Sequence, residues 1–296
     1  MDFKNITVAG SGVLGSQIAF QTAFHGYNVC VYDINEEVLT KAKERLVSLK
    51  EVYASFFKNA QKAEEAMARF TFNSSLVEAV QNADLVIEAI PEIVDIKQNF
   101  YEELAKAAPA KTVFVTNSST MVPSQFATYT GRPDKFLALH FANEIWKNNT
   151  AEVMGHAETD ENIAQQVIEF ARSIGMIPLH VKKEQPGYIL NSLLVPFLSA
   201  GETLWATGVA DPETIDKTWM IATGAPMGPF AILDVVGIHT AYNIVQAEAQ
   251  IDPSKQPLVD KLKTEFLDQG KTGQGSGEGF YKYPNPRYLD ADFLKA

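Results

Sequence analysis

The chain has 296 residues, of which 46% are hydrophobic and 21% charged, and this ordinary composition excludes a disordered or fibrous protein. Its 25 Lys and Arg against 36 Asp and Glu give a formal net charge of −11, so we expect neither a nucleic-acid nor a membrane partner. Cys30 is the single cysteine, and no signal peptide or long apolar run is evident. These features are typical of a cytoplasmic protein, and the length favours two domains.

The first predicted unit is a strand, a helix and a second strand. Ile6–Ala9 is a short apolar run of strand type. Ser16–His25 follows with helix-like apolar residues, and Gly26 is placed to end that helix. Val29–Tyr32 is then a second buried strand. This order is that of a βαβ unit in a parallel sheet.

Strands and helices continue to alternate up to about residue 184. The stretch from Glu36 to about Ala68 predicts two helices, or one that projects from the sheet. The further predicted elements are strands at Phe70–Phe72, Leu85–Ala89, Thr112–Thr116, Phe136–His140 and Ile177–Val181, and helices at Ser75–Asn82 and Ile96–Ala107. This pattern predicts a doubly wound parallel sheet with flanking helices over residues 1–184.

The character of the chain changes after Lys183–Gly187, where strand-like sequence becomes rare. The predicted helices of this second part are Tyr188–Thr207, Asp211–Thr223, Pro229–Ala249 and Pro257–Asp268. Residues 185–296 are therefore predicted to form a mainly α-helical domain. Five glycines between Gly270 and Gly279 predict a mobile loop near its end.

A glycine motif joins the first strand to the first helix. Gly10 allows a tight turn, Gly12 lets a pyrophosphate approach the backbone, and Gly15 lets the helix pack on the strand. Asp33 ends the next strand, where it would accept hydrogen bonds from ribose hydroxyls and repel a 2′-phosphate. The motif predicts a Rossmann-type domain that binds NAD in preference to NADP; the alternative is an ordinary glycine-rich turn.

Polar residues at predicted strand ends are candidates for the chemistry. His140 ends an apolar strand, at the edge of the sheet where ligands bind, although a buried core histidine would share that position. Glu152 lies twelve residues further on, after a polar loop, and a carboxylate paired with histidine suits a general base. Most glutamates, however, are solvated surface residues.

Other polar residues have a structural alternative. The Asn117–Thr120 segment follows a strand and could contact a cofactor or substrate carbonyl, or could simply form a turn. Asn191 lies within an apolar helix, where it is either a structural hydrogen-bond donor or a pocket donor. The five histidines do not have metal-ligand spacing, so no metal site is predicted.

These motifs together resemble the short-chain L-3-hydroxyacyl-CoA dehydrogenase family, which includes the 3-hydroxybutyryl-CoA dehydrogenases. The resemblance covers nearly the whole chain in order. The segments that carry it are Val8–Gly15, Ala83–Glu92 with Lys97, Thr116–Met121, Leu139–Asn143, Pro186–Asn191, Pro226–Pro229 and Gly277–Tyr281.

The resemblance implies a role for each site residue. His140 would be the catalytic base, Glu152 its orienting partner, and Ser119 and Asn191 the substrate contacts. The residues that would line the NAD site are Gly10, Ser11, Gly12, Val13, Leu14, Gly15, Asp33, Glu92, Lys97, Asn117, Asn143 and Lys261. The family also implies a homodimer formed through the helical domain.

The chain departs from the family at several positions. An apolar Pro-Val-Pro run that normally follows the histidine motif is replaced here by the polar segment Glu144–Ala151. Ser192 stands where the family has arginine, and Leu14 stands where the family has methionine. The pattern by which members of the family contact CoA does not align along Leu46–Phe57. We expect the side chains of the Glu144–Ala151 segment to turn into the substrate pocket and to favour small or polar acyl groups, because a ring as large as that of Trp146 is rarely left in solvent. The alternative is that they turn outward and leave the family's short-chain preference in place.

The sequence thus predicts an NAD-dependent dehydrogenase that interconverts a short-chain (3S)-3-hydroxyacyl-CoA and the 3-oxoacyl-CoA in fatty acid metabolism. The alternatives are a relative that oxidises a free hydroxy acid or sugar acid, and an NAD-binding protein without catalysis. The combination of Ser119, His140, Glu152 and Asn191 argues against the non-catalytic alternative.

Overall fold

The computed structural model describes residues 3–295. Two compact units divide the chain: Met1–Asn191 and Ser192–Ala296. The first unit is built on a sheet and the second on helices, and each has its own hydrophobic core.

The sheet of the first unit has eight strands in the described residues, in the order β3-β2-β1-β4-β5-β6-β7-β8. The strands are β1 Asn5–Ala9, β2 Asn28–Tyr32, β3 Phe70–Asn73, β4 Leu85–Glu88, β5 Val113–Thr116, β6 Phe136–Phe141, β7 Thr150–Met154 and β8 Ile177–Val181. All neighbouring strands are parallel except β6 and β7. The order reverses at β1, as in doubly wound sheets, and places the carboxyl ends of β1 and β4 side by side.

Helices cover both faces of this sheet. They are α1 Val13–Phe24, α2 Glu36–Phe56, α3 Ala60–Met67, α4 Leu76–Val80, α5 Val94–Ala107 and α6 Glu161–Ser173. One core packs α1, α2, α3 and α6 against the sheet, and a second core packs α4 and α5 against the other face. Strands β4, β5 and β6 are buried throughout because both of their faces are covered. The Rossmann-type architecture expected from the sequence is confirmed.

The sequence reading missed strand β7 and helix α6. The sequence predicts a polar loop before Glu152 and no strand there, whereas β7 pairs antiparallel with β6 and Glu152 lies opposite His140. A five-residue strand with a carboxylate at its centre has no clear apolar pattern, which is why the sequence hid it. The sheet is therefore mostly rather than wholly parallel.

The second unit is helical. Its helices are α7 Tyr188–Ala206, which begins in the first unit, α8 Pro212–Thr223, α9 Pro229–Val236, α10 Ile238–Ala249 and α11 Gln256–Glu265. The single helix predicted over Pro229–Ala249 is broken by a bend of 101° at Gly237, whose φ of +94° suits glycine. By length and composition α7 could span a membrane, and 22% of its most apolar stretch of 18 residues is buried within the protein. The buried residues of α7, which include Leu198, Glu202 and Trp205, lie on one side of the helix.

Two buried aspartates organise the second unit. Asp216 accepts hydrogen bonds from the backbone amides of Phe230 and Ala231, each at 2.9 Å. Asp234 accepts from the amides of Phe280 and Tyr281, each at 2.8 Å. A Cβ on Gly273 or Gly279 would lie 2.4 or 2.0 Å from oxygens of Asp234. The glycine-rich segment expected to be a mobile loop is therefore packed against α9 at Gly273 and Gly279, where a side chain would not fit.

Candidate active site

The turn after β1 has the shape that a dinucleotide requires. A Cβ on Gly10 would lie 2.4 Å from the Ala89 carbonyl oxygen, and a Cβ on Gly15 would lie 2.0 Å from the Gly10 carbonyl oxygen. Gly12 precedes α1, has open space where a side chain would stand, and leaves the first turn of α1 without a side-chain cap. Free amides and a positive helix end facing open space suit a pyrophosphate.

Asp33 faces this loop from the end of β2. One of its oxygens accepts hydrogen bonds from the Ser11 amide at 2.7 Å and the Ser11 hydroxyl at 2.6 Å. Its other oxygen accepts from the Ile34 amide at 2.8 Å. Arg45 of α2 donates to the Ser11 carbonyl at 3.1 Å and so brings a positive charge to the loop of an acidic chain. The sequence reading did not single out Arg45, because nothing local relates α2 to residue 11.

His140 and Glu152 form a buried cross-strand pair. They occupy opposite positions of β6 and β7, and the His140 Nδ1 lies 3.0 Å from a Glu152 carboxylate oxygen. The other ring nitrogen, Nε2, lies 3.1 Å from the Ser119 hydroxyl oxygen. The three residues that the resemblance assigned to base, partner and substrate contact are therefore brought together. A base oriented by a carboxylate and open at its second nitrogen is suited to proton transfer.

Glu152 also holds the start of α7. Its second carboxylate oxygen accepts hydrogen bonds from the amides of Ile189 at 2.8 Å and Leu190 at 3.0 Å. Burial raises the pKa of the Glu152 carboxyl, but the hydrogen bonds from His140 and the two amides outweigh burial, so the net pKa is lowered. Glu152 is accordingly a carboxylate at neutral pH and can stabilise a positive charge on His140.

A polar network fixes the loop that carries Ser119. Glu92 accepts hydrogen bonds from the Ser118 hydroxyl, from the Ser119 amide at 3.0 Å and from the Thr120 amide at 3.1 Å. Lys97 is 1% exposed and its ammonium contacts Glu88 at 2.5 Å and Glu92 at 3.2 Å. Because Lys97 is buried in this network, its ammonium orients the Glu92 carboxylate. Its predicted contact with NAD stays a prediction.

Of the remaining predicted site residues, only Asn117 has a contact beside His140 in the described part of the chain. Asn117 is buried, and its side-chain oxygen accepts from the Phe141 amide at 3.0 Å, next to His140. Asn143 is exposed, and Asn191 is half-buried near the start of α7. Lys261 lies in the second unit with its ammonium 4.1 Å from the centre of the Trp205 ring. The roles of Asn143, Asn191 and Lys261 stay predictions.

The segment after His140 differs from the expectation for Trp146. Its ring contacts that of Tyr53 on α2, with centroids 5.6 Å apart, and packs against the core beside α1 and α2. The Glu144 amide donates to the Gln17 side-chain oxygen at 2.9 Å, which ties the segment to α1. Packing on Tyr53 accounts for the size of Trp146, and this removes the reason for turning it into a substrate pocket.

The chain is similar to known proteins over nearly its whole length. A family model described as 3-hydroxyacyl-CoA dehydrogenase, NAD binding domain, matches residues 5–185, and its C-terminal domain model matches residues 187–283. The human mitochondrial hydroxyacyl-coenzyme A dehydrogenase is 34% identical over 95% of this chain and 91% of its own. A probable 3-hydroxybutyryl-CoA dehydrogenase of Bacillus subtilis is 32% identical over 96% and 98%.

A solved structure described as a diketoreductase acting on dicarbonyl compounds is 54% identical, covers 96% of this chain and 100% of its own, and has a TM-score of 0.92. The glycine loop with Asp33 and the histidine–glutamate pair define an NAD-dependent oxidoreductase. The chain belongs to the 3-hydroxyacyl-CoA dehydrogenase family, with both of its domains present.

Proposed function

We propose that the chain interconverts a short-chain (3S)-3-hydroxyacyl-CoA and the corresponding 3-oxoacyl-CoA with NAD. The observation that carries this proposal is the contact series from Ser119 to His140 to Glu152, at 3.1 and 3.0 Å, in a member of this family. The printed names of the human and Bacillus subtilis relatives support a hydroxyacyl-CoA substrate.

The residues divide the work as follows. His140 takes the proton of the substrate 3-hydroxyl at Nε2, while the Ser119 hydroxyl holds the same oxygen. Glu152 accepts from Nδ1 and stabilises the imidazolium that forms. Bound NAD supplies the acceptor for the hydride that leaves carbon 3. In the reductive direction the imidazolium returns its proton to the 3-oxo oxygen.

A second function, reduction of a free dicarbonyl compound, is favoured by the diketoreductase structure. Its identity of 54% exceeds the 34% of the human CoA-dependent relative. Both substrates carry a ketone whose reduction needs one hydride and one proton, so the same base and carboxylate would serve either. The two functions differ only in whether the protein recognises CoA.

Two substrates that share the acetoacetyl group, one a CoA thioester and the other a simple ethyl ester, test the proposal. NADH oxidation is measured with acetoacetyl-CoA and with ethyl acetoacetate, and His140→Gln serves as the inactive control. We expect kcat/KM to be at least about tenfold higher for the thioester, which corresponds to ~1.4 kcal/mol of recognition. A preference for ethyl acetoacetate would replace the proposed function by the dicarbonyl function.

The homodimer, the cytoplasmic location and the link to fatty acid metabolism belong to the same proposal. The helical unit exposes several large apolar side chains, which a second copy of the chain would cover. They include Leu193, Val209, Ile221 and Val235. The single cysteine and the acidic composition are consistent with a cytoplasmic enzyme.

A further inference from the structure

Tyr188, the first residue of α7, lies against the base. Its side chain is fully buried, and its ring is stacked on the His140 imidazole with centroids 4.4 Å apart and an angle of 13° between the planes. We infer that Tyr188 is a positioning residue that holds the His140 ring and stabilises its protonated form. This inference rests on the role of His140 in the proposed function.

The backbone of Tyr188 is unusual in a way that needs a cause. Its φ is +55°, in the left-handed region that bulky residues rarely adopt, and it follows Gly187 with a φ of +78°. Such a conformation persists only where the surroundings enforce it, and it is concentrated at functional sites. The Tyr188 amide donates to the Gln185 carbonyl at 2.9 Å, which closes a tight turn just before α7. This turn aims the ring at His140.

The same turn holds both members of the catalytic pair. The ring of Tyr188 covers a face of His140, while the next two amides, Ile189 and Leu190, bind Glu152. Only the face of the imidazole is covered by this stack, so its two nitrogens keep their contacts with Glu152 and Ser119. The start of α7 therefore fixes the tilt of the base and the place of its partner together.

The stack also has an electrostatic effect. An aromatic face attracts a cation, so a ring parallel to His140 favours the imidazolium over the neutral imidazole. Burial raises the pKa of the Tyr188 phenol, so the hydroxyl is neutral at physiological pH and the ring exchanges no proton with His140. The aromatic ring, rather than the hydroxyl, is thus the part of Tyr188 that acts on the base.

The test compares Tyr188→Phe, which keeps the ring, with Tyr188→Leu, which keeps an apolar side chain without it. We expect Tyr188→Phe to retain kcat within about twofold and Tyr188→Leu to lose about tenfold, with KM for NADH unchanged. The pH profile of kcat should move to lower pH in Tyr188→Leu, because the imidazolium is less favoured. Phe170→Leu, which removes a buried ring from α6, is the control and should leave kcat and its pH profile unchanged.

A second readout does not depend on the substrate. The imidazole resonances of His140 are followed by NMR against pH in the NADH-free protein, with His140→Gln used for assignment. In Tyr188→Leu the titration should move to lower pH by about half a unit, and in Tyr188→Phe it should stay in place. If Tyr188→Leu is unstable, Tyr188→Met replaces it with the same expectations.

The outcomes separate the inference from the proposed function. Failure of the wild type to turn over acetoacetyl-CoA would overturn the proposed substrate, and the variants would then be compared on ethyl acetoacetate or by the titration alone. An unshifted titration in Tyr188→Leu, or equal losses of kcat in Tyr188→Phe and Tyr188→Leu, would overturn the role of the ring.

Discussion

His140 is held at both ring nitrogens, by Glu152 at Nδ1 and by Ser119 at Nε2. His140→Gln removes the base and leaves the glycine loop untouched. We therefore expect kcat to fall by about 10²–10⁴ while NADH still binds, since general-base catalysis is worth that much. Steady-state assays and a fluorescence titration of NADH measure the two effects. Activity within about twofold of wild type would show that another group takes the proton.

Glu202 is a second buried carboxyl, on α7 in the helical unit. It is 4% exposed, and one of its oxygens has no hydrogen-bond partner among residues 3–295. Burial, and to a smaller extent the charge of Glu248, raise its pKa from the ordinary value of 4.5 to about 7, against the opposing effect of Lys255. Because the folded state keeps the proton longer than the unfolded state, Glu202 destabilises the fold progressively as pH rises from about 4.5 to 7.

Glu202→Gln should remove this pH dependence. The amide has nearly the same shape and cannot ionise, so the variant should gain about 3 kcal/mol over wild type between pH 4.5 and pH 8. Urea unfolding at pH 4.5 and pH 8 gives the difference, with the exposed Glu158→Gln as a control that should follow wild type. Parallel loss of stability in wild type and Glu202→Gln would mean that Glu202 is ionised in the fold.

At the scale of elements, the end of β2 and the glycine loop form one unit through Asp33 and Ser11. Asp33→Ala removes the carboxylate that favours the ribose hydroxyls, and it also releases Ser11. We expect NADH to bind about tenfold more weakly, and the difference in affinity between NADH and NADPH to become smaller. Competitive titrations with both cofactors measure this.

Arg45 provides the control for the cofactor prediction. With Asp33 gone, the guanidinium on the Ser11 carbonyl remains as a positive charge at the loop. The double variant Asp33→Ala/Arg45→Met should therefore gain less affinity for NADPH than Asp33→Ala alone. Wild-type preference for NADPH in the same titrations would refute the assignment of Asp33.

The connection between β6 and β7 is a second element with a testable role. Trp146→Ala removes a ring that packs on Tyr53, so we expect a loss of about 2 kcal/mol in stability and an unchanged preference for acyl chain length. Urea unfolding and the ratio of turnover with four-carbon and ten-carbon thioesters give the two results. Tyr53→Phe, which keeps the ring, is the control. A changed chain-length ratio at unchanged stability would place Trp146 at the substrate.

For the whole molecule, local patterns were enough to predict the βαβ opening and the helical second unit. The roles of Gly10, Gly12 and Gly15 were predicted from the motif together with the strand before it and the helix after it, although the atoms closest to Gly10 belong to Ala89, far along the chain. The pairing of His140 with Glu152 depends on sheet register between two strands, which no local pattern carries, so spacing indicated it only weakly and the family resemblance was needed to assign it. Tyr188 escaped notice for the same reason, since its stack on His140 joins residues 48 positions apart in the sequence.

The helical unit carries the prediction on assembly. Leu193 of α7 is 70% exposed, and a second copy of the chain is the proposed cover for the apolar surface around it. Light scattering should give the mass of a dimer for wild type and of a monomer for Leu193→Asp. Val77→Asp, at an apolar position of the first unit that is 63% exposed, should remain a dimer. A monomeric wild type would contradict the proposed homodimer.

The antiparallel pairing of β6 with β7 has a consequence for how such an enzyme can diversify. His140 and Glu152 face each other through strand register, so their separation is set by backbone hydrogen bonds and not by the residues that connect the strands. The connection is free to change in length and chemistry while the pair stays in place. Here the connection is formed by residues 142–149, which contain polar side chains where the family resemblance led us to expect an apolar run. The connection can therefore be replaced while the geometry for proton transfer is inherited unchanged.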